Sequence, residues 1–224
     1  MQTLSGRLAL AASFVRPGAS VCDVGTDHGY LPLCLYKSGR CKSVCCTEIN
    51  EKPYKNAEKT FALNGCDIRL CLCDGLSAFT EADGIDTVII TGMGGDVISG
   101  IIERAPFLYK GGVSLILQPM TAAGELRRFL AKSGFAVTRE QAVTDAGRIY
   151  SVMLAEYTGA PYAIGPARER IGILKPDTPD NIVYIKRQQN LCRELVNRLR
   201  PVEDKKDLFE KENNALREIT RILG

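Results

Sequence analysis

The chain holds a single histidine, His28, and no Cys-x-x-Cys pair, although it has nine cysteines. A zinc site needs about four well-spaced Cys or His ligands, so no metal is expected. An odd cysteine count without an export signal points to a reducing cytoplasm rather than a disulfide framework. No run approaches eighteen apolar residues, and so no segment reads as a membrane span. The apolar start, Thr3 to Val15, is broken by Arg7 and has no basic region before it, unlike a secretory signal. Leu4, Leu8, Ala11 and Val15 instead fall at helical spacing, which predicts an amphipathic helix covering the surface of a core. Biased tracts are missing too. With 45% apolar and 25% charged residues over 224 positions, the chain can bury one full core and a small appendage. A net charge of +3 does not by itself mark a nucleic-acid binder, because phosphate affinity follows where charges cluster.

From residue 20 to about 117, short β-branched runs alternate with helical stretches, the pattern of βαβ units on a parallel sheet. Strands are predicted at Ser20 to Val24, Ser43 to Ile49, Asp67 to Cys71, Asp86 to Thr91 and Val113 to Gln118. Helices are predicted at Tyr30 to Lys37, Glu51 to Leu63, Asp96 to Arg104 and Thr121 to Lys132. Phe135 to Val143 and Arg148 to Tyr157 then alternate around Asp145-Ala146-Gly147, a turn signal, and predict an antiparallel hairpin closing the sheet. The expected fold is α/β and Rossmann-like: a domain over 1–158, then a linker and C-terminal helical hairpin over 159–224. Thr178 before Pro179 suits an N-cap and first-turn proline. Ile182, Ile185, Gln189, Cys192, Val196 and Leu199 form a coiled-coil-like seam, which Pro201 interrupts. Leu208, Ala215, Ile219 and Ile222 supply a second stripe to cover it.

The first strand runs into Asp23-Val24-Gly25-Thr26-Asp27-His28-Gly29-Tyr30, an acid followed by glycines two and six positions on, where a helix begins. Such a turn lets backbone approach a ligand at the carboxyl end of a parallel sheet. Glu48 closes the second strand and can accept ribose hydroxyls; Asp74, after the third, can meet an adenine edge. Three acids closing successive strands predict an adenosine-bearing cofactor. The spacing is not Gly-x-Gly-x-x-Gly, and Asp27 stands where a pyrophosphate would need the positive end of a helix free of acid. A cationic sulfonium tolerates that acid.

This pattern resembles motif one of class I S-adenosylmethionine-dependent methyltransferases. Asp23 to Pro32, Glu48-Ile49-Asn50, Cys73-Asp74-Gly75-Leu76, Thr91-Gly92-Met93-Gly94-Gly95 and Leu117-Gln118-Pro119 together resemble the bacterial tRNA (adenine-22-N1)-methyltransferase family. The likeness runs from Leu4 through the hairpin at Tyr150. Glu48 stands where that family more often has aspartate, and Thr91 where it more often has alanine. The resemblance implies S-adenosyl-L-methionine as cofactor and tRNA as partner, with no membrane involved. It implies cofactor contacts from Asp23, Gly25, Thr26, Gly29, Tyr30, Glu48, Ile49, Asp74, Gly75, Gly92 and Met93.

Methylation at N1 leaves positive charge on the base, which a carboxylate could stabilise or relieve by taking the N6 proton. Asp27 is the first candidate, with His28 beside it as shuttle or base contact; the bland alternatives are a helix cap and a loop hydrogen bond. Enzymes that methylate exocyclic amines typically carry an acid or amide, two prolines and an aromatic after strand four. Here Gly92-Met93-Gly94-Gly95 stands instead, which favours a ring nitrogen and room for a flipped base, or else a tight turn. Gln118 and Pro119 are candidate base contacts. Lys186, Arg193 and Arg200 recur every seven residues along the tail, either a ridge for RNA phosphates or a solvated face. Arg127, Arg128 and Lys132 offer a second phosphate patch. The rival readings are a small-molecule methyltransferase and a non-catalytic cofactor-binding assembly module.

Overall fold

The protein is described by a computed structural model covering residues 4, 6–200 and 203–224. Pro201, expected to break the tail helix, and Thr3 lie outside the described residues. Seven strands form one sheet in the order β3-β2-β1-β4-β5-β7-β6. β1 (Ser20–Val24), β2 (Ser43–Glu48), β3 (Arg69–Leu72), β4 (Thr87–Gly94) and β5 (Ser114–Thr121) run parallel. β6 (Phe135–Asp145) and β7 (Arg148–Tyr157) form the antiparallel hairpin, with β7 against β5.

Helices cover both faces, and so the central strands are apolar on both sides rather than alternating with polar residues. Val88 and Ile90 of β4 face one core with Ile98 and Ile102 of α4 (Gly95–Glu103) and Leu126 and Leu130 of α5 (Ala123–Lys132). Ile89, one residue out of phase, faces the other core. There it joins Ala11 and Phe14 of α1 (Gly6–Phe14), Leu31 and Leu35 of α2 (Tyr30–Lys37), and Ala57 and Phe61 of α3 (Glu51–Leu63). Leaving β1, the chain steps first to β2 and β3 on one side and later to β4 and β5 on the other. The strand order therefore reverses between β1 and β4, where a parallel sheet opens a ligand crevice at its carboxyl ends.

The tail contains α6 (Pro166–Ile171), α7 (Pro179–Leu199) and α8 (Lys206–Leu223). α6 was expected as linker; six residues are too few to show a periodicity. Thr178 caps α7, its side chain accepting the Asn181 N–H at 3.2 Å. Ile185, Cys192, Val196 and Leu199 are buried as the seam predicts, and Ala215 and Ile219 answer from α8. Leu208, expected in that stripe, is 42% exposed. α7 also buries Asn181 and Tyr184, because a second side of it packs on the hairpin: Ala142 and Ile149 share one apolar cluster with Ala167, Ile171, Tyr184, Ile185 and Ile219.

Arg127 corrects another expectation. It is buried, not a phosphate contact, and ion-pairs with Glu140 at 2.6 Å. It also donates to the carbonyls of Glu169 and Arg170, to Ser151 and to the Tyr184 hydroxyl. Burial works to lower its pKa, but Glu140 and Tyr184 more than offset this and hold the guanidinium charged. Glu140 completes the junction by accepting the Ile173 N–H at 3.0 Å. Arg128 is spoken for as well, paired with Glu169 at 2.9 Å.

Candidate active site

The reversal point holds a cavity of about 340 Å³, within the range of small-molecule sites. Its floor is the turn after β1. The Gly25 and Thr26 N–H groups both donate to the Thr47 carbonyl, at 2.9 and 3.0 Å, which ties the turn to the end of β2. Gly25 has φ 71°, a left-handed conformation that favours glycine, and its bare Cα lies beneath the Met93 methyl. Gly29, at the start of α2, faces the Phe61 ring; a Cβ would lie 2.7 Å from it.

Two buried acids stand at this floor. Glu48 accepts the Asp27 N–H on Oε2 at 3.2 Å, and the Ile49 and Asn50 N–H groups on Oε1 at 2.9 and 3.0 Å. These bonds fix its carboxylate at the cavity edge with Oε2 retaining acceptor capacity. Burial pushes the Asp23 carboxyl up to about 7; the Thr26 hydroxyl opposes this and the Glu48 charge adds to it.

Asp27, His28 and Tyr30 line the same cavity from its mouth. Asp27 adopts φ 52°, a left-handed conformation sparsely used by residues other than glycine, and the Glu48 bond holds it there. Its side chain is 67% exposed and that of His28 is 49% exposed, with Asp27 Oδ1 and His28 Nε2 3.8 Å apart. The His28 and Tyr30 rings stack at 5.4 Å and 7°. Gly29 is the N-cap of α2 and no side chain caps that helix, so the capping reading of Asp27 is set aside.

The other wall comes from β4 and β5. Thr91, Gly92 and Met93 line the cavity. Gln118 is fully buried beneath them; its Oε1 accepts the Gly92 N–H at 3.2 Å and an Arg7 Nη1 proton at 3.3 Å. It therefore shapes the wall from behind. Arg7 and Leu8 of α1 close the remaining side, and sequence reasoning missed both; the one available signal was a cation inside an otherwise apolar helical pattern.

Several expected residues are not brought to this cavity. Asp74 pairs instead with Arg104 at 3.2 Å, and Gly75 faces Ile101 of α4. Gly94 ends β4 as the N-cap of α4 and Gly95 begins that helix, where a Cβ would run into the Ala122 carbonyl, so close packing against the turn before α5 requires that glycine. Pro119 lines a different cavity of about 450 Å³, between that turn and the tail helices, with Thr121, Arg128, Arg187 and Lys211 among its walls. Lys186 and Arg193 are exposed on α7 and Arg200 just past its end, and Arg193 donates to Asn190 at 2.7 Å.

The donor set suits an adenosyl sulfonium. Its carboxylates can accept hydrogen bonds from a diol and face a cation, its glycines admit close approach, and the turn carries an acid unsuited to a pyrophosphate.

The sequence profile of a methyltransferase-domain family matches residues 4–153. Over 155 residues the chain is 31% identical to the tRNA (adenine(22)-N(1))-methyltransferase of Bacillus subtilis (strain 168), covering 68% of this chain and 65% of that protein. The chain thus aligns with just under two thirds of that relative's length. The crystal structure of a candidate tRNA (m1A22) methyltransferase from Streptococcus pneumoniae superposes with a TM-score of 0.85 at 30% identity, covering 99% of this chain and 100% of that one. The same Streptococcus pneumoniae protein in complex with S-adenosyl-L-methionine gives a TM-score of 0.81 at 32% identity, over 99% and 100% of the two chains. A fold shared end to end and a family profile spanning the whole cavity-bearing region lead to one conclusion: this chain belongs to the methyltransferase-domain family and, within it, to the tRNA (adenine-22-N1)-methyltransferases.

Proposed function

We propose that the chain transfers a methyl group from S-adenosyl-L-methionine to N1 of adenine 22 in tRNA, in the cytoplasm. The observation that carries this reading is the acid-floored cavity at the strand-order reversal, with an exposed, conformationally strained Asp27 at its mouth and glycines in place of an exocyclic-amine motif. The cofactor supplies an electrophilic methyl on a sulfonium. Adenine N1 has an in-plane lone pair and needs no covalent relay, so the chain's main task is to orient it. Alignment of this kind is worth about 7–11 kcal/mol in favourable cases.

Glu48 holds the ribose end, and the Gly25 floor admits the cofactor closely. Asp27 faces the target base and either stabilises the cation formed at N1 or takes the proton from N6, with His28 and Tyr30 packed together at its side. Residues 1–158 form the methyltransferase domain. The helices over 159–224 hold the folded RNA, with Lys186, Arg193 and Arg200 tracking its backbone.

Labelled methyl transfer into tRNA, compared with free adenosine and adenylate, tests this reading against the small-molecule and non-catalytic alternatives. Incorporation into tRNA alone is the expected result. Labelling of the free nucleoside at a similar rate, or of nothing, would overturn it.

A further inference from the structure

We propose that Arg7 holds the carboxylate of the cofactor's amino-acid end and so makes α1 part of the cofactor site. The inference rests on the reading of this cavity as an S-adenosylmethionine site. Among the described residues that line it, three are carboxylic acids, Asp23, Asp27 and Glu48, and Arg7 is the one Lys or Arg. Arg7 is thus the one guanidinium or ammonium on these walls with which a ligand carboxylate can pair.

Position agrees with charge. Glu48 ends β2 on one side of β1, while Arg7 lies over Gly92 in β4 on the other, its Nη1 3.5 Å from where a Cβ on that glycine would be. Two strand spacings, about 10 Å, separate β2 from β4. A cofactor whose ribose sits on Glu48 therefore directs its amino-acid end across the Gly25 floor toward Arg7.

The guanidinium is also pre-oriented. Nη1 donates to Gln118 at 3.3 Å and Nε lies 3.3 Å from Asp145 Oδ2, so two anchors fix the plane from the protein side. Nη2 makes no hydrogen bond among the described residues, and a guanidinium presents its donors in a fixed fork that matches a carboxylate. Asp145 offsets part of the charge, yet its contact leaves the Nη2 side of the fork available. Both anchors come from the β5 end and the hairpin turn, the elements against which α1 packs.

The test is calorimetric, with S-adenosylhomocysteine and with 5′-methylthioadenosine, which lacks the amino-acid end. It uses the full chain and the variants Arg7→Ala and Arg7→Gln. Reading the ratio of the two affinities within each variant cancels any general loss of folded protein, and Arg7→Gln retains much of the packing. We expect both variants to lose about tenfold or more for S-adenosylhomocysteine, and less than twofold for methylthioadenosine. Equal losses for both ligands would show that Arg7 merely seats α1, and no loss for either would remove it from the site; each overturns the proposal. Failure of the unaltered chain to bind S-adenosylhomocysteine would instead count against the cofactor reading itself.

Discussion

Asp27 combines a left-handed backbone, an exposed carboxylate and a place in the cavity wall. Asp27→Asn is expected to lower turnover about 10²–10⁴-fold while leaving cofactor affinity nearly intact, read by methyl incorporation alongside calorimetry. A fully active variant would remove Asp27 from the chemistry. Asp23 gives a pH signature instead. An unfolded aspartate releases its proton near pH 4, whereas folded Asp23 keeps it to about 7. Between those values the folded state binds the extra proton, so stability should fall as pH rises, by up to about a few kcal/mol. Melting curves of Asp23→Asn without cofactor should lose that slope, nearly matching the wild type near pH 4 and exceeding its Tm at pH 8; an unchanged slope would contradict this. The acids and glycines of the turn were legible in the sequence because their spacing follows from a strand ending and a helix beginning. Arg7 was not, since its place at the cavity depends on how α1 packs across distant strand ends. Nor could the sequence reveal the exposed pairing of Asp74 with Arg104, thirty residues on.

At the level of elements, hydrophobic periodicity gave the seven strands and most helices closely, because each buries a face whose repeat is written in consecutive residues. α6 escaped that logic. So did the anchoring of the tail, which depends on Glu140 and on Arg127, a residue the sequence offers as part of a phosphate patch. Their buried pair joins α5, β6, α6 and α7 in one network, so deleting one partner strands the other without solvent or counter-charge. Glu140→Ala should cost about 3–5 kcal/mol, measured by denaturant unfolding. A loss below 1 kcal/mol would mean that the junction is looser than the geometry indicates.

For the whole molecule, the tail is seated on the sheet by an apolar cluster as well as by Arg127, so truncating it would expose core and confuse RNA binding with stability. Charge reversal on the exposed ridge avoids that. Lys186→Glu with Arg193→Glu should weaken tRNA binding and flatten its dependence on salt while leaving the Tm nearly unchanged. Unaltered affinity would place the RNA elsewhere. The proposed reaction needs the cofactor cavity, Asp27 and the tail together, and the position of the transferred methyl tests all three. tRNA incubated with the protein and S-adenosyl-L-methionine, cut into oligonucleotides and sequenced by mass spectrometry, should carry 1-methyladenosine at position 22 and no new methyl elsewhere. A methyl on another position or another atom of the base would contradict the account.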